Sequence, residues 1–405
     1  MNIHIILDKA LFQSISAEAF TPLDRHFEII IPPILFKEIW GDLATEKKED
    51  PRRWVAYLAS RLGANYIICP DYVDLLCNSL LGNEPPMDGR LIAAGMRPVK
   101  SSGGSLGYFV DPTPEDEALQ RWQKQQVSFE ESLWAYRWQR IRRYINTNLY
   151  LRKLSEAGVS VQKPKDLSHL QEIIDFILAN PKTQGRLLNL LFRESEIPLQ
   201  IQRRAIIRWF KSKRPLLSLF APYAAHCVKA NLLLALGNMN ISILGRQGEH
   251  DLRDLEYCYY LPFCEVFALD DRLHRKLIPL LKRPDQRLVG TELRDDLKRL
   301  AQEWNAMSQD EKIAHHRKFG NRPAPNSDSI TLKLWEKYRP DYNPNKGFMP
   351  IKGSNLHEFL LAKCEELKNA QQSEEPRTIE EARFVYQKKL VSREKLKDLY
   401  PQADI

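Results

Sequence analysis

Residues 3–14 read IHIILDKALFQS, and residues 26–40 read HFEIIIPPILFKEIW. In the first stretch IHIIL is a short apolar strand that stops at Asp8. Leu11, Phe12 and Ile15 then recur on one helical face. In the second stretch HFEIII is a strand, Pro32-Pro33 ends it, and Ile34, Leu35, Ile39 and Trp40 begin a helix that carries Glu38. Strand, helix, strand, helix within about 45 residues implies an α/β unit.

A third stretch, HDLRDLEYCYYLPFCEVFALDDRLHRKL at 250–277, repeats the combination far downstream. Asp251 and Asp254 are three apart, close enough for one helix face, and Pro262 marks the end of that helix. Val266–Leu269 is a strand that stops at Asp270-Asp271, and Leu273, Leu277, Leu280 and Leu281 outline the next helix. Acids at the carboxyl ends of parallel strands, or at nearby helix starts, face a common crevice in open α/β folds. They repel one another unless a cation compensates. Oxygen donors of this kind suit Mg2+ or Mn2+. The expected chemistry is phosphodiester hydrolysis: ions held by Asp8 and Asp254, with Glu38, Asp251 and Asp271 contributing directly or through water and Asp270 beside them, activate a water for in-line attack. Each acid also has a plainer reading. Asp8 can cap the helix near Leu11, Glu38 can lie on the surface, Asp251 and Asp254 can favour a helix dipole, and one of Asp270/Asp271 can cap the next helix. His250 and His274 flank the distal acids and read as structural or solvent residues before phosphate contacts.

The interval between these stretches has a different character. From 46 to 221 the pattern is mainly helical, interrupted at 82–114 by GNEPPMDG, SSGGSLG and DPTPED. SSGGSLG has no Walker lysine and reads as an ordinary loop. Helices are expected over 166–178, 184–193, 196–214 and 222–237. Beyond 290 come one helix on Leu293, Leu297, Leu300 and Trp304, two irregular segments, and a charged helical region over about 355–400. The expected division is 1–45 and 222–290 as two parts of one α/β domain, 46–221 as a helical insertion, and 291–405 as an extension.

The chain is basic, with 60 Lys and Arg against 52 Asp and Glu among 405 residues, and the excess is uneven. Segment 199–214 holds six cations (Arg203, Arg204, Arg208, Lys211, Lys213 and Arg214) and no acid. Segment 137–143 adds Arg137, Arg140, Arg142 and Arg143 beside Trp134 and Trp138. Such patches suit a phosphate backbone, and a solvated helix face is the plain alternative. No apolar run is long enough to span a membrane, and Asp8-Lys9 interrupts any resemblance of the start to a secretory leader. The six cysteines lack a CxxC pair, which argues for reduced thiols and a cytoplasmic setting.

The three quoted stretches resemble the PIN-like nucleases. That resemblance implies a three-layer α/β/α core around a parallel sheet, an acidic pocket for Mg2+ or Mn2+, and RNA hydrolysis, with RNA preferred over DNA. By position Asp8 resembles the acid ending the first strand, and Glu38 the carboxylate after the second. Asp251 and Asp254 share the third place, and Asp271, with Asp270 as substitute, the last. Some members act as toxins or in RNA processing, which implies an antitoxin or defence-complex protein as a partner. The resemblance covers roughly 1–45 and 222–290. The long helical interval departs from a compact member of the family. A catalytically inactive PIN-like RNA-binding or protein-interaction module is therefore the alternative.

Overall fold

A computed structural model describes residues 2–45, 50–62, 66–142 apart from 103 and 105, 147–156, 159, 162–244, 251–325, 328–344, 362, 365–370 and 385–387. Its centre is a five-stranded, wholly parallel sheet in the order β3-β2-β1-β6-β7. The strands are β1 (Ile3–Leu7), β2 (Phe27–Ile31), β3 (Tyr66–Ile68), β6 (Val266–Ala268) and β7 (Arg287–Val289). All five β1 side chains are buried, so both faces of the central strand are covered. Right-handed crossovers that step outward from β1 in opposite directions place helices on both faces. The chain is an α/β fold, as its first two strand–helix units imply.

The connections explain the helices. Asp8 caps α1 (Lys9–Ser14), and α2 (Phe20–His26) leads into β2. Pro33 opens α3 (Pro33–Gly41), where its missing N–H costs nothing. Asp50 caps α4 (Pro51–Ser60), and Asp71 caps α5 (Tyr72–Leu81), which follows β3. Gly82 ends α5 in the left-handed region, at φ 98°, where a side chain would be strained.

The interruption at 82–114 forms a hairpin. β4 (Met96–Lys100) and β5 (Leu106–Val110) pair antiparallel, with β8 (Val385–Gln387) alongside β5. Then follow α6 (Pro114–Gln123), α7 (Phe129–Arg142), α8 (Thr147–Glu156), α9 (Leu167–Ala179), α10 (Gln184–Glu194), α11 (Leu199–Lys211) and α12 (Leu217–Phe220). The return to the sheet runs through α13 (Pro222–Gly237), α14 (Ile241–Leu244) and α15 (Asp251–Tyr259) to β6 and α16 (Arg272–Leu281). The chain closes with α17 (Thr291–Ala306), α18 (Gln309–Phe319) and α19 (Ile330–Tyr338). The region expected as a charged helix over 355–400 lies almost wholly outside the described residues.

Two stretches outside the expected α/β segments are joined to its sheet. β3 and α5 lie inside the expected insertion, yet β3 pairs with β2 through Ile29–Ile31. The stretch after 290 is also tied to the core. Trp335 is fully buried and its indole donates to the His26 carbonyl at 3.0 Å. Arg339 grips both oxygens of Glu265 at 2.7 and 2.8 Å and donates to the Asn2 carbonyl at 2.6 Å. The described Cys69, Cys227, Cys258 and Cys264 are free, buried thiols, and no described helix is long and apolar enough to cross a membrane.

Candidate carboxylate crevice

The chain leaves β1 toward β2 and β3, and returns on its other side as β6 and β7. The order therefore reverses between β1 and β6, and ligands of open α/β sheets bind outside the carboxyl ends at such a point. Asp8 follows β1 there, and Asp270 and Asp271 follow β6.

Asp8 joins the two strand ends. Its Oδ1 accepts from the Leu11 amide at 2.8 Å. Its Oδ2 accepts from the amides of Asp270 and Asp271 at 2.9 and 3.0 Å, and from His274 Nδ1 at 3.3 Å. Only 1% of the residue is exposed. Burial alone would raise its pKa, but the hydrogen bond and charge of His274, with the backbone amides, bring it below the usual carboxylate value.

His274 spans the crevice floor. Its Nε2 lies 2.7 Å from the Asp254 carbonyl, while Nδ1 faces Asp8. Both partners are acceptors, so both ring nitrogens donate and the ring is an imidazolium. Burial pushes its pKa down, yet the bond to Asp8 and the charges of Asp8 and Asp254 lift it to about 9. The sequence places His274 beside the distal acids, but its bonds to Asp8 and to the Asp254 carbonyl depend on pairings that no local pattern encodes.

The other acids are held by different elements. Asp271 caps α16, its Oδ1 accepting from Leu273 and His274 amides at 2.7 and 3.2 Å. Asp270 pairs with Arg275 at 2.8 Å. Glu38 is buried and accepts from the Tyr257 hydroxyl at 2.6 Å, a link between α3 and α15 that no sequence spacing announces. Asp254 is half-buried one turn into α15, and the side chain of Asp251 lies outside the described residues, as does His250. Glu256, on the same helix, carries no sequence signal of its own. Its i+2 offset from Asp254 turns it elsewhere, toward the charges of Lys37 and Asp71, and burial raises its carboxyl to about 7.

The donor chemistry is right for a hard cation, but the placement of the described side chains is not. Among the described residues no three His, Cys, Asp or Glu side chains stand together closely enough to hold an ion. Asp8 already carries four hydrogen bonds, and an imidazolium compensates its charge. No family model matches this chain. No curated protein or solved structure matches it either.

The two basic segments occupy different ends of this frame. Helix α7 lies over the acid-bearing helices α3 and α15. The Arg253 guanidinium stacks 3.7 Å from the Trp138 ring and donates to the Trp138 carbonyl at 3.2 Å, and Trp40 and Trp134 stack at 3.9 Å. Trp134 and Trp138 are thus packing side chains. Arg137 and Arg140 are exposed on this helix, whereas the Arg142 side chain and Arg143 lie outside the described residues. Arg208, read in the sequence as a phosphate contact, instead donates to the carbonyls of Leu80 and Phe220 at 3.0 and 3.1 Å.

The close seat of α7 needs Gly41. A Cβ there would stand 2.6 Å from a Trp138 ring carbon. Alanine normally strengthens a helix by about 1 kcal/mol over glycine. Here Gly41→Ala is expected to lower stability by about 1–3 kcal/mol through overpacking. Urea unfolding in wild-type and Trp138→Leu backgrounds checks this: the cost shrinks when the ring is absent, whereas an equal cost in both would assign it elsewhere.

Proposed function

We propose that the crevice between β1 and β6 hydrolyses phosphodiester bonds in RNA, and that the chain is a PIN-like nuclease. One observation supports this reading most: Asp8, Asp270 and Asp271 follow the two strands at the reversal of a parallel 3-2-1-6-7 sheet. Glu38 and Asp254 are tied to the same floor through Tyr257 and His274. In this reading Asp8 and His274 fix the strand ends, Tyr257 orients Glu38, and Arg137 and Arg140 on α7 face the polymer. The requirement for Mg2+ or Mn2+ follows from the resemblance and is part of the proposal. Because no three of the described carboxylates stand together, no step is assigned to the ion. A cytoplasmic setting and an antitoxin or defence-complex partner belong to the same proposal.

The sealed state of Asp8 favours a second reading, in which the fold is a catalytically inactive RNA-binding or protein-interaction module. Incubation of end-labelled RNA with the full chain separates the two. The nuclease reading expects fragments with Mn2+ or Mg2+ and none with EDTA. Uncut but bound RNA at every metal concentration supports the inactive module.

A further inference from the structure

Helix α11 is a surface that the crevice does not use. α5 starts at the carboxyl edge of the sheet, after β3, and its ten residues carry it about 15 Å toward the amino edge. There Arg208 donates to the Leu80 carbonyl at 3.0 Å and, at 3.4 Å, to the Ser79 carbonyl, which also accepts from the Gly82 amide. These bonds seat α11 at the edge of the sheet away from Asp8 and Asp271.

The outer face of α11 mixes cations with apolar side chains. Arg203, Arg204 and Lys211 are exposed, and no acidic residue occurs from Ile197 through Gly248. Ile207 and Phe210 lie among them, 56% and 50% exposed. After the helix, Lys213 and Arg214 both adopt left-handed backbone, at φ 63° and 55°. For residues other than glycine such a conformation costs about 1 kcal/mol each. The turn is held by the Arg214 amide on the Trp209 carbonyl at 3.0 Å and the Trp209 indole on the Pro215 carbonyl at 2.9 Å. It brings the Arg214 guanidinium over the Phe210 ring, at 4.4 Å.

We propose that this face binds single-stranded nucleic acid, with phosphates against Arg203, Arg204, Lys211 and Lys213 and an unstacked base against Phe210 and Arg214. The charge selects a polyanion. The half-exposed ring between cations selects a polymer whose bases are free, because stacking on aromatic side chains is sequence-tolerant and open only to unpaired bases. Against a duplex, Phe210 and Ile207 would meet hydrated backbone, since the bases are stacked inside. The proposal rests on the preceding reading only for RNA as the polymer, and the binding is independent of the crevice.

Fluorescence anisotropy of the full chain in EDTA tests it, with a labelled 20-nucleotide oligo(U), a duplex of equal length, and phosphatidylserine-containing vesicles. The single strand is expected to bind at least tenfold more tightly than the duplex. Phe210→Ala is expected to weaken it about tenfold. Arg203→Gln with Arg204→Gln is expected to flatten the salt dependence, by about 0.7 in log–log slope for each phosphate no longer neutralised. Equal affinity for the duplex, binding to vesicles alone, or single-strand binding untouched by the α11 variants overturns the proposal. If RNA is cut while these variants bind normally, only the α11 assignment fails; if they lose binding but no RNA is ever cut, only the nuclease reading fails.

Discussion

Asp8→Ala is expected to lower the unfolding free energy by about 3–5 kcal/mol, the usual cost of removing one member of a buried ion pair. The change strips one acceptor from four donors at once: the amides of Leu11, Asp270 and Asp271 and the ring of His274. The imidazolium is left buried beside the Asp254 carbonyl, without a counter-charge in contact. Asp8→Asn keeps an acceptor but loses the charge, and falls between wild type and alanine. Urea titrations at pH 7 measure both. A loss below about 1 kcal/mol for the alanine variant would show that the strand ends do not depend on this side chain. Asp8 is therefore not a clean probe of catalysis, since its variants disturb the strand end that carries Asp270 and Asp271.

Raising the pH from 7 to 9.5 is expected to remove about 2 kcal/mol of stability through His274 alone. The group's pKa is raised from 6.5 to about 9 in the folded chain. Its contribution is therefore complete below 6.5 and is lost as pH rises through 9. Starting at pH 7 leaves out His26 and His226, which burial depresses to about 3 and about 4 and which destabilise the fold on the acid side. Buried thiols, whose pKa values burial raises, titrate within the same range in the unfolded chain, so the comparison is with His274→Gln. Wild type is expected to lose more stability than this variant over the interval. Parallel losses in the two proteins would mean that His274 does not carry the proton assigned to it.

Much of the sheet is legible in the sequence because apolar runs stop abruptly at charged or proline residues. β1 spans 3–7 and α13 spans 222–237 as read, and β6 ends one residue earlier than the apolar run through Leu269. β3 and β7 are different. Each is three residues long, too short to show alternation, and β3 lies within a stretch dominated by helical spacing. Their place comes from pairing with β2 and β6, which no local pattern encodes. The hairpin of β4 and β5 is hidden for a related reason, since Gly- and Ser-rich turns outweigh two short strands.

The site is legible as a set of positions but not as a set of bonds. Asp8 and Asp271 are readable both as strand-end acids and as helix caps, and the structure shows both in capping bonds. That Asp8 turns inward onto two backbone amides and a histidine depends on β6 lying next to β1, a pairing of residues such as Ile5 and Val266 that are far apart in the chain. Arg208 and Arg204 are alike in sequence context, yet one side chain is spent on carbonyls and the other is exposed. They stand one turn apart on the same side of α11, at about 180° for Arg208 and about 140° for Arg204 if Leu199 is taken as zero. That difference is too small to read without knowing where α5 ends.

The most decisive test of a carboxylate crevice is the single-turnover rate of RNA cleavage by Asp254→Asn against wild type in saturating Mn2+. Asp254 is half-buried at the crevice, and its carbonyl, which the substitution leaves in place, makes the bond to His274. A fall of about 100-fold or more is expected, with the chain still folded and RNA affinity unchanged. Cleavage at the wild-type rate in this variant would contradict a carboxylate crevice at the β1/β6 reversal.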